Sequence, residues 1–298
     1  MRAAVVRAFL IGTAIVFLVL NTQGCRRSHL ESQGQKIIVG VGIAPLAYFT
    51  RRVGDGFVDV ELLIPPAANP HTYQPEPRQV RKLSKASVLI LNGIGVEFWA
   101  VKAVQTADNP KLLVVDTSKG LQILDSGRNN ETGNPHIWLD PINAAHQVKV
   151  IASALARVDP RHSVVYRKNE KRLLDELSAL DSYIRARLSR LKSRTYVSVH
   201  PAWSYFARRY GLVEVGVIEK SPGREPSPAE IRDIINSMRS RKVRVIFAEP
   251  QFSMKAAQAI AEETGAKILT LDPLGQPPDY DYFSTMRANV AAIVRALQ

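Results

Sequence analysis

Apolar residues along this chain follow two alternating rhythms. Short runs rich in Val, Ile and Leu alternate with longer stretches of helical period, from Lys36 to the end. Short runs bounded by turn residues read as buried strands, and the alternation with helix-sized segments predicts an α/β architecture with mostly parallel sheets. In the first half the predicted strands are Lys36–Ile43, Val58–Ile64, Ser87–Asn92 and Leu112–Val115. In the second they are Thr195–Val199, Val213–Ile218, Val243–Ala248 and Ala266–Leu271. Four strands in each half predict two similar lobes on four-stranded sheets, although no residue-level repeat accompanies the duplicated pattern.

Between the halves lies the longest helical pattern. Leu173, Leu177, Leu180, Ile184, Leu188 and Leu191 recur at spacings of 4, 3, 4, 4 and 3, one face of a helix. No glycine or proline interrupts Arg161–Lys192, which at 1.5 Å per residue would run roughly 45–50 Å. Such a connector is stiff, so the lobes should tilt by a limited amount and not swing widely. Ser227-Pro228-Ala229-Glu230 is a capping box with proline at the first helical position, predicting a helix from Pro228 to about Met238. Gly211 and Gly265 each end a helical pattern just before a strand.

The N-terminus changes the picture from a free α/β protein to an exported one. Arg2 and Arg7 precede the apolar run Ala8–Leu20, too short to span a bilayer, which needs ~20 residues. Gly24-Cys25 follows, placing the single cysteine where a lipoprotein precursor is cut, although Thr22 and Gln23 depart from the usual lipoprotein pattern. The expected organisation is a leader over 1–25 with a lipidation cysteine, a polar tether over 26–35, a first lobe over 36–160, a connecting helix over 161–193 and a second lobe over 194–298. Absence of cysteine after Cys25 excludes disulfides and thiolate metal ligands from the body.

The formal charge is +13, and removal of Arg2 and Arg7 with the leader leaves +11. Much of the excess lies between Arg161 and Arg194. Export and the scarcity of aromatic residues among these charges argue against a nucleic-acid partner. A solvated helix face, near anionic headgroups, fits better.

Candidate chemistry is carried by histidine. Asn69-Pro70-His71 and Asn134-Pro135-His136 repeat one tripeptide, and His200-Pro201 follows a strand, so three of the six histidines adjoin proline. Proline restricts its neighbours and so fixes where these side chains start, and neutral imidazole is the commonest metal ligand. Ligands in open parallel sheets bind beyond the carboxyl ends of strands. There the sequence places His71, His136, His200 and Asp272, with Asp140 and Glu249 as rival carboxylates or as acceptors behind an imidazole. Facing lobes would close these around one divalent cation in the interlobe cleft. His29, His146 and His162 read as tether, helix and surface residues.

Six segments in order carry a resemblance: Pro70–Pro77, Asn92–Trp99, Pro135–Pro141, His200–Gly211, Glu225–Pro228 and Leu271–Gly275. Over Lys36–Gln298 the chain resembles the metal-binding, zinc- and manganese-type, solute-binding proteins of ABC importers. The resemblance implies two lobes on a rigid helix and metal ligands at His71, His136, His200 and Asp272. It further implies no catalytic residues, a monomer, a membrane permease with its ATPase as partners, and a periplasmic or cell-surface location. Two departures bear on the cargo. Zinc members often carry a long His-rich loop where this chain has only Asp125–Asn134, and manganese members tend to have Glu where this chain has His200. A nitrogen-rich site favours Zn²⁺, with Mn²⁺ or Fe²⁺ as alternatives. Pro66–Asn69 also differs from the usual approach to the first ligand.

Two rival functions make different demands. A zinc hydrolase needs an open coordination position and a general base, and the chain has no His-Glu-x-x-His. A receptor for a chelated metal or another small solute needs a large pocket.

Overall fold

The computed structural model describes residues 36–298 except 66, 127–132 and 222. The leader, Cys25, His29 and the whole tether therefore lie outside the described residues.

All eight strands form, each end within two residues of its predicted position: β1 Ile37–Val41, β2 Val58–Leu62, β3 Val88–Leu91, β4 Leu113–Asp116, β5 Thr195–Ser198, β6 Val213–Val217, β7 Val245–Ala248 and β8 Lys267–Thr270. Every pairing is parallel, in the orders β2-β1-β3-β4 and β6-β5-β7-β8. The two halves thus share one topology, and each sheet has a central switch point where loops leave in opposite directions. Among the described residues the helices are α1 Ala44–Gly54, α2 Pro77–Lys82, α3 Ala100–Ala107, α4 Pro141–Val158, α5 Ser163–Leu188, α6 Ser204–Tyr210, α7 Pro228–Ser240, α8 Lys255–Thr264 and α9 Tyr282–Leu297. The predicted capping box opens α7, with Ser227 and Glu230 bonding each other's backbone N–H. Gly211 and Gly265 end α6 and α8 at φ of 71° and 68°, a left-handed conformation that glycine adopts without strain.

The connecting helix α5 buries Leu173, Leu177, Leu180, Ile184 and Leu188, the predicted face. Its 26 residues span about 39 Å, less than expected. Pro160 opens a separate 3₁₀ turn through His162, and Lys192 and Ser193 turn away to bond Leu297 O. The final helix α9, which follows the last strand of the second lobe, reaches back across the molecule. Its Tyr282 ring meets Phe49 of α1 with centroids 4.8 Å apart, and its hydroxyl donates to Trp138 O at 2.7 Å. One hydrophobic core consequently runs from β1 and α1 through α5 and α9 to Phe206 and Phe247. A second fills the far face of the second sheet around Val197, Ile246 and Ile260. A core shared by both lobes resists wide separation, because opening it would expose apolar surface at about 25 cal/mol per Å².

Candidate metal centre

The two Asn-Pro-His tripeptides fold alike. Asn69 Oδ1 accepts from His71 N and Asn134 Oδ1 accepts from His136 N, both at 3.0 Å. Each is an Asx turn, in which the asparagine side chain stands in for a backbone carbonyl and points the histidine off the strand end. The sequence assigned this anchoring to proline. Proline sets the bend, and asparagine supplies the hydrogen bond. Asn134 Oδ1 also accepts from His136 Nδ1 at 2.9 Å, which leaves the Nε2 lone pair free. The first lobe fixes this loop from below: Gln147 Nε2 donates to Asn92 Oδ1, and Asn92 Nδ2 donates to Pro135 O. The backbone N–H groups of Asn92 and Gly93 in turn donate to the buried Glu97 carboxylate. Gly42 makes room for that carboxylate, since a Cβ there would lie 2.1 Å from Glu97 Oε1.

His71, His136 and His200 converge from both lobes, with one ring nitrogen of each within 4.8 Å of the other two. Nε2 of His71 and Nε2 of His136 stand 3.3 Å apart. Burial, and then the neighbouring His200, holds the His71 imidazole down at about 3. Burial alone holds His200 at about 3, and His136 is pushed well below the usual histidine range by burial and then by the other two rings. Three neutral imidazoles, each with one ring nitrogen facing the others, form a ligand set that carries no positive charge for a cation to displace. Phe252 stacks on His200, and Trp138, Pro273 and Leu274 complete the walls.

The enclosed cavity is about 10 Å³. That admits one water or one bare ion, whereas organic ligands need about 300–1,000 Å³. Larger hollows of about 530, 450 and 390 Å³ follow the outer face of α4 and share no residue with the histidine site.

The carboxylates are placed differently from the histidines. Asp272 lies just after β8, with its backbone N–H and carbonyl held by the Asn289 side chain. Its Oδ1 accepts from Leu274 N and Gly275 N at 2.9 and 3.0 Å, and its Oδ2 accepts from Gln276 Nε2. The structure therefore brings the three histidines together and leaves the Asp272 carboxylate outside the cluster, bonded to its own turn. N–H donors close in sequence satisfy that carboxylate. Glu249 lies behind His200, its Oε2 3.2 Å from His200 Nδ1. Its other oxygen is buried and has no hydrogen-bond partner, and burial, reinforced by the Asp272 charge, raises its pKa well above the usual carboxylate range. Asp140 is a helix cap, accepting from Ile142 N at the start of α4 and pairing with Arg209. His146 bonds Lys119 O, and His162 stacks on Phe57 beside Asp159, so neither joins the site.

Two outcomes follow from this electrostatics. At pH 5.5 three ordinary histidines would together carry nearly three protons that a metal must displace. With His71 and His200 near 3 and His136 well below the usual histidine range, metal binding at pH 5.5 is expected to displace at most about one proton, that of Glu249. Affinity should then fall by no more than about tenfold per pH unit of acidification. Calorimetric titration in buffers of different ionisation enthalpy counts the protons directly, and release of two or more would contradict the depressed imidazoles. Glu249→Gln keeps the acceptor for His200 but removes the charge, so metal affinity is expected to drop by about 10- to 100-fold. An unchanged affinity would mean that Glu249 contributes only bulk.

The family profile described as zinc-uptake complex component A periplasmic (ZnuA) matches residues 39–296. A relative from Bacillus subtilis (strain 168), the high-affinity zinc uptake system protein ZnuA, is 26% identical, covering 97% of this chain and 96% of its own. The iron-binding protein YfeA of Yersinia pestis is 29% identical, with coverage of 97% and 96%. A crystal structure of ZnuA superposes with a TM-score of 0.81 at 34% identity, covering 88% of this chain and 99% of that one. A profile match spanning both lobes, including all three converging histidines, decides the matter: the chain belongs to the zinc-uptake complex component A periplasmic family.

Proposed function

We propose that this protein is an extracytoplasmic receptor for a divalent metal, Zn²⁺ before Mn²⁺ or Fe²⁺, that hands its cargo to an ABC permease driven by a cytoplasmic ATPase. The observation that carries this reading is the convergence of three neutral imidazoles on a space the size of one ion. His71, His136 and His200 are the proposed ligands. Asp272 would be the fourth, leaving Gln276 for the cation once charge draws it in. Nitrogen ligands rank zinc above manganese and iron(II) in affinity. Lobes over 36–160 and 194–298 on a connecting segment over 161–193 built around α5, a leader over 1–25 and an anchor at Cys25 complete the reading, with the protein acting as a monomer.

Capture without turnover fits the site better than catalysis. A hydrolase requires space for its substrate beside the metal-bound water, and the cavity holds little beyond the ion itself. The same size argues against a chelated metal.

Titration of the metal-stripped chain lacking residues 1–25, in competition with a chelator, tests the proposal. One zinc per chain is expected, with manganese at least about a hundredfold weaker, as the Irving–Williams order requires. Equal or tighter manganese binding would overturn the zinc assignment, and absence of tight binding of either metal would overturn the receptor.

A further inference from the structure

The two Asn-Pro-His turns differ in one respect. The Asn69 side chain makes the turn bond alone among the described residues. The Asn134 side chain uses Oδ1 on His136 and turns its Nδ2 to the other lobe, donating to Pro201 O at 2.7 Å and to Ser204 Oγ at 3.2 Å. Its backbone carbonyl accepts from Tyr205 OH at 2.9 Å, and that same hydroxyl accepts from Leu124 N. Pro201 directly follows His200, and Ala202 N donates back to His200 O. One buried residue thus bonds the imidazole of a first-lobe histidine and the loop that carries the second-lobe histidine.

We propose that Asn134 is a positioning residue that couples the lobes: it transmits occupancy at His136 to the His200–Tyr205 segment, so that a bound metal tightens the contact between lobes. The inference rests on the ligand assignment above. Its physical basis is the direction of the amide. A metal on Nε2 makes the His136 ring a stronger Nδ1–H donor, which fixes the Asn134 side chain with Oδ1 toward the ring. Nδ2 then faces Pro201 O, because the two ends of a planar amide turn together. Only asparagine at this position offers an acceptor to the first lobe and a donor to the second at once.

Two variants separate coupling from simple support. Asn134→Asp keeps acceptors for His136 N and Nδ1 but presents oxygen, not N–H, to Pro201 O. Asn134→Ser keeps a turn acceptor for His136 N without a negative charge and is too short to reach Pro201. Hydrogen exchange of Ala202 and Leu124 would be compared with and without zinc, alongside zinc affinity by chelator competition. In wild-type protein, zinc is expected to slow exchange at both amides by about tenfold, the scale of one added hydrogen bond. In both variants that zinc-dependent change should shrink to under about threefold. A merely structural role would alter exchange equally with and without metal. A full zinc-dependent change in N134D or N134S would overturn the coupling while leaving the receptor intact. Wild-type protein that binds no zinc would instead remove the ligand assignment itself.

Discussion

Replacing His136 with alanine is expected to weaken zinc binding by roughly 60- to 700-fold. Structural zinc sites gain about 10–16 kcal/mol in total, so one ligand of four is worth about 2.5–4 kcal/mol. His136 is the strongest test of the three because it is 3% exposed, is bonded through Nδ1, and has its Nε2 aimed at the other rings. Water cannot readily take its place without filling a cavity walled by Trp138 and Leu274. His146→Ala is the matched control, since that ring bonds Lys119 O on the outer face of the lobe. Chelator competition at neutral pH would measure both variants. A loss smaller than about tenfold in His136→Ala, with an intact circular-dichroism spectrum, would exclude His136 as a ligand.

Asp272→Asn is expected to give the second-largest loss, about 10²-fold in zinc affinity, the cost of exchanging a charged ligand for a neutral one. Asparagine preserves an acceptor for Leu274 N and Gly275 N, so the turn that places Pro273 and Leu274 against the cavity should survive. The substitution therefore isolates the charge. Gln276→Ala is the complementary change: it frees Oδ2 from the Gln276 amide and should leave affinity equal or slightly improved. Undiminished affinity in Asp272→Asn would mean that three histidines and solvent complete the coordination, and that Asp272 serves only its turn.

Legibility of this site in the sequence was uneven, for identifiable reasons. The histidines were legible because proline neighbours and strand-end positions are local signals, and all three converge. Asn134 stood in plain view within a repeated tripeptide. Its turn bond follows from local chemistry, whereas its bond to Pro201 O links residues 67 positions apart, and no spacing rule reaches that far. Asp272 follows its strand as expected, yet the choice between a ligand and a turn acceptor depends on the charge beside it. Phe252, stacked on His200, carried no sequence signal of any kind. The helix α5 shows the same division: its buried leucines follow from a period of 3.6, while its ends depend on Pro160 and on contacts to the last residues of α9.

By itself the sequence determined the eight strands, the parallel α/β class, the duplicated lobes, the buried face of the connecting helix and the three histidines that converge. Each of these rests on short-range physics: side-chain period, turn chemistry, capping and the restriction that proline imposes. Only the tertiary structure decided that α9 crosses to the first lobe, that the cavity fits one ion, that Glu249 stands behind His200 while Asp272 bonds its own turn, and that Asn134 joins the lobes. These outcomes are set by distances between residues far apart in the chain. Burial and charge at such places depend on which surfaces meet, and that is fixed when the two sheets pack across α5.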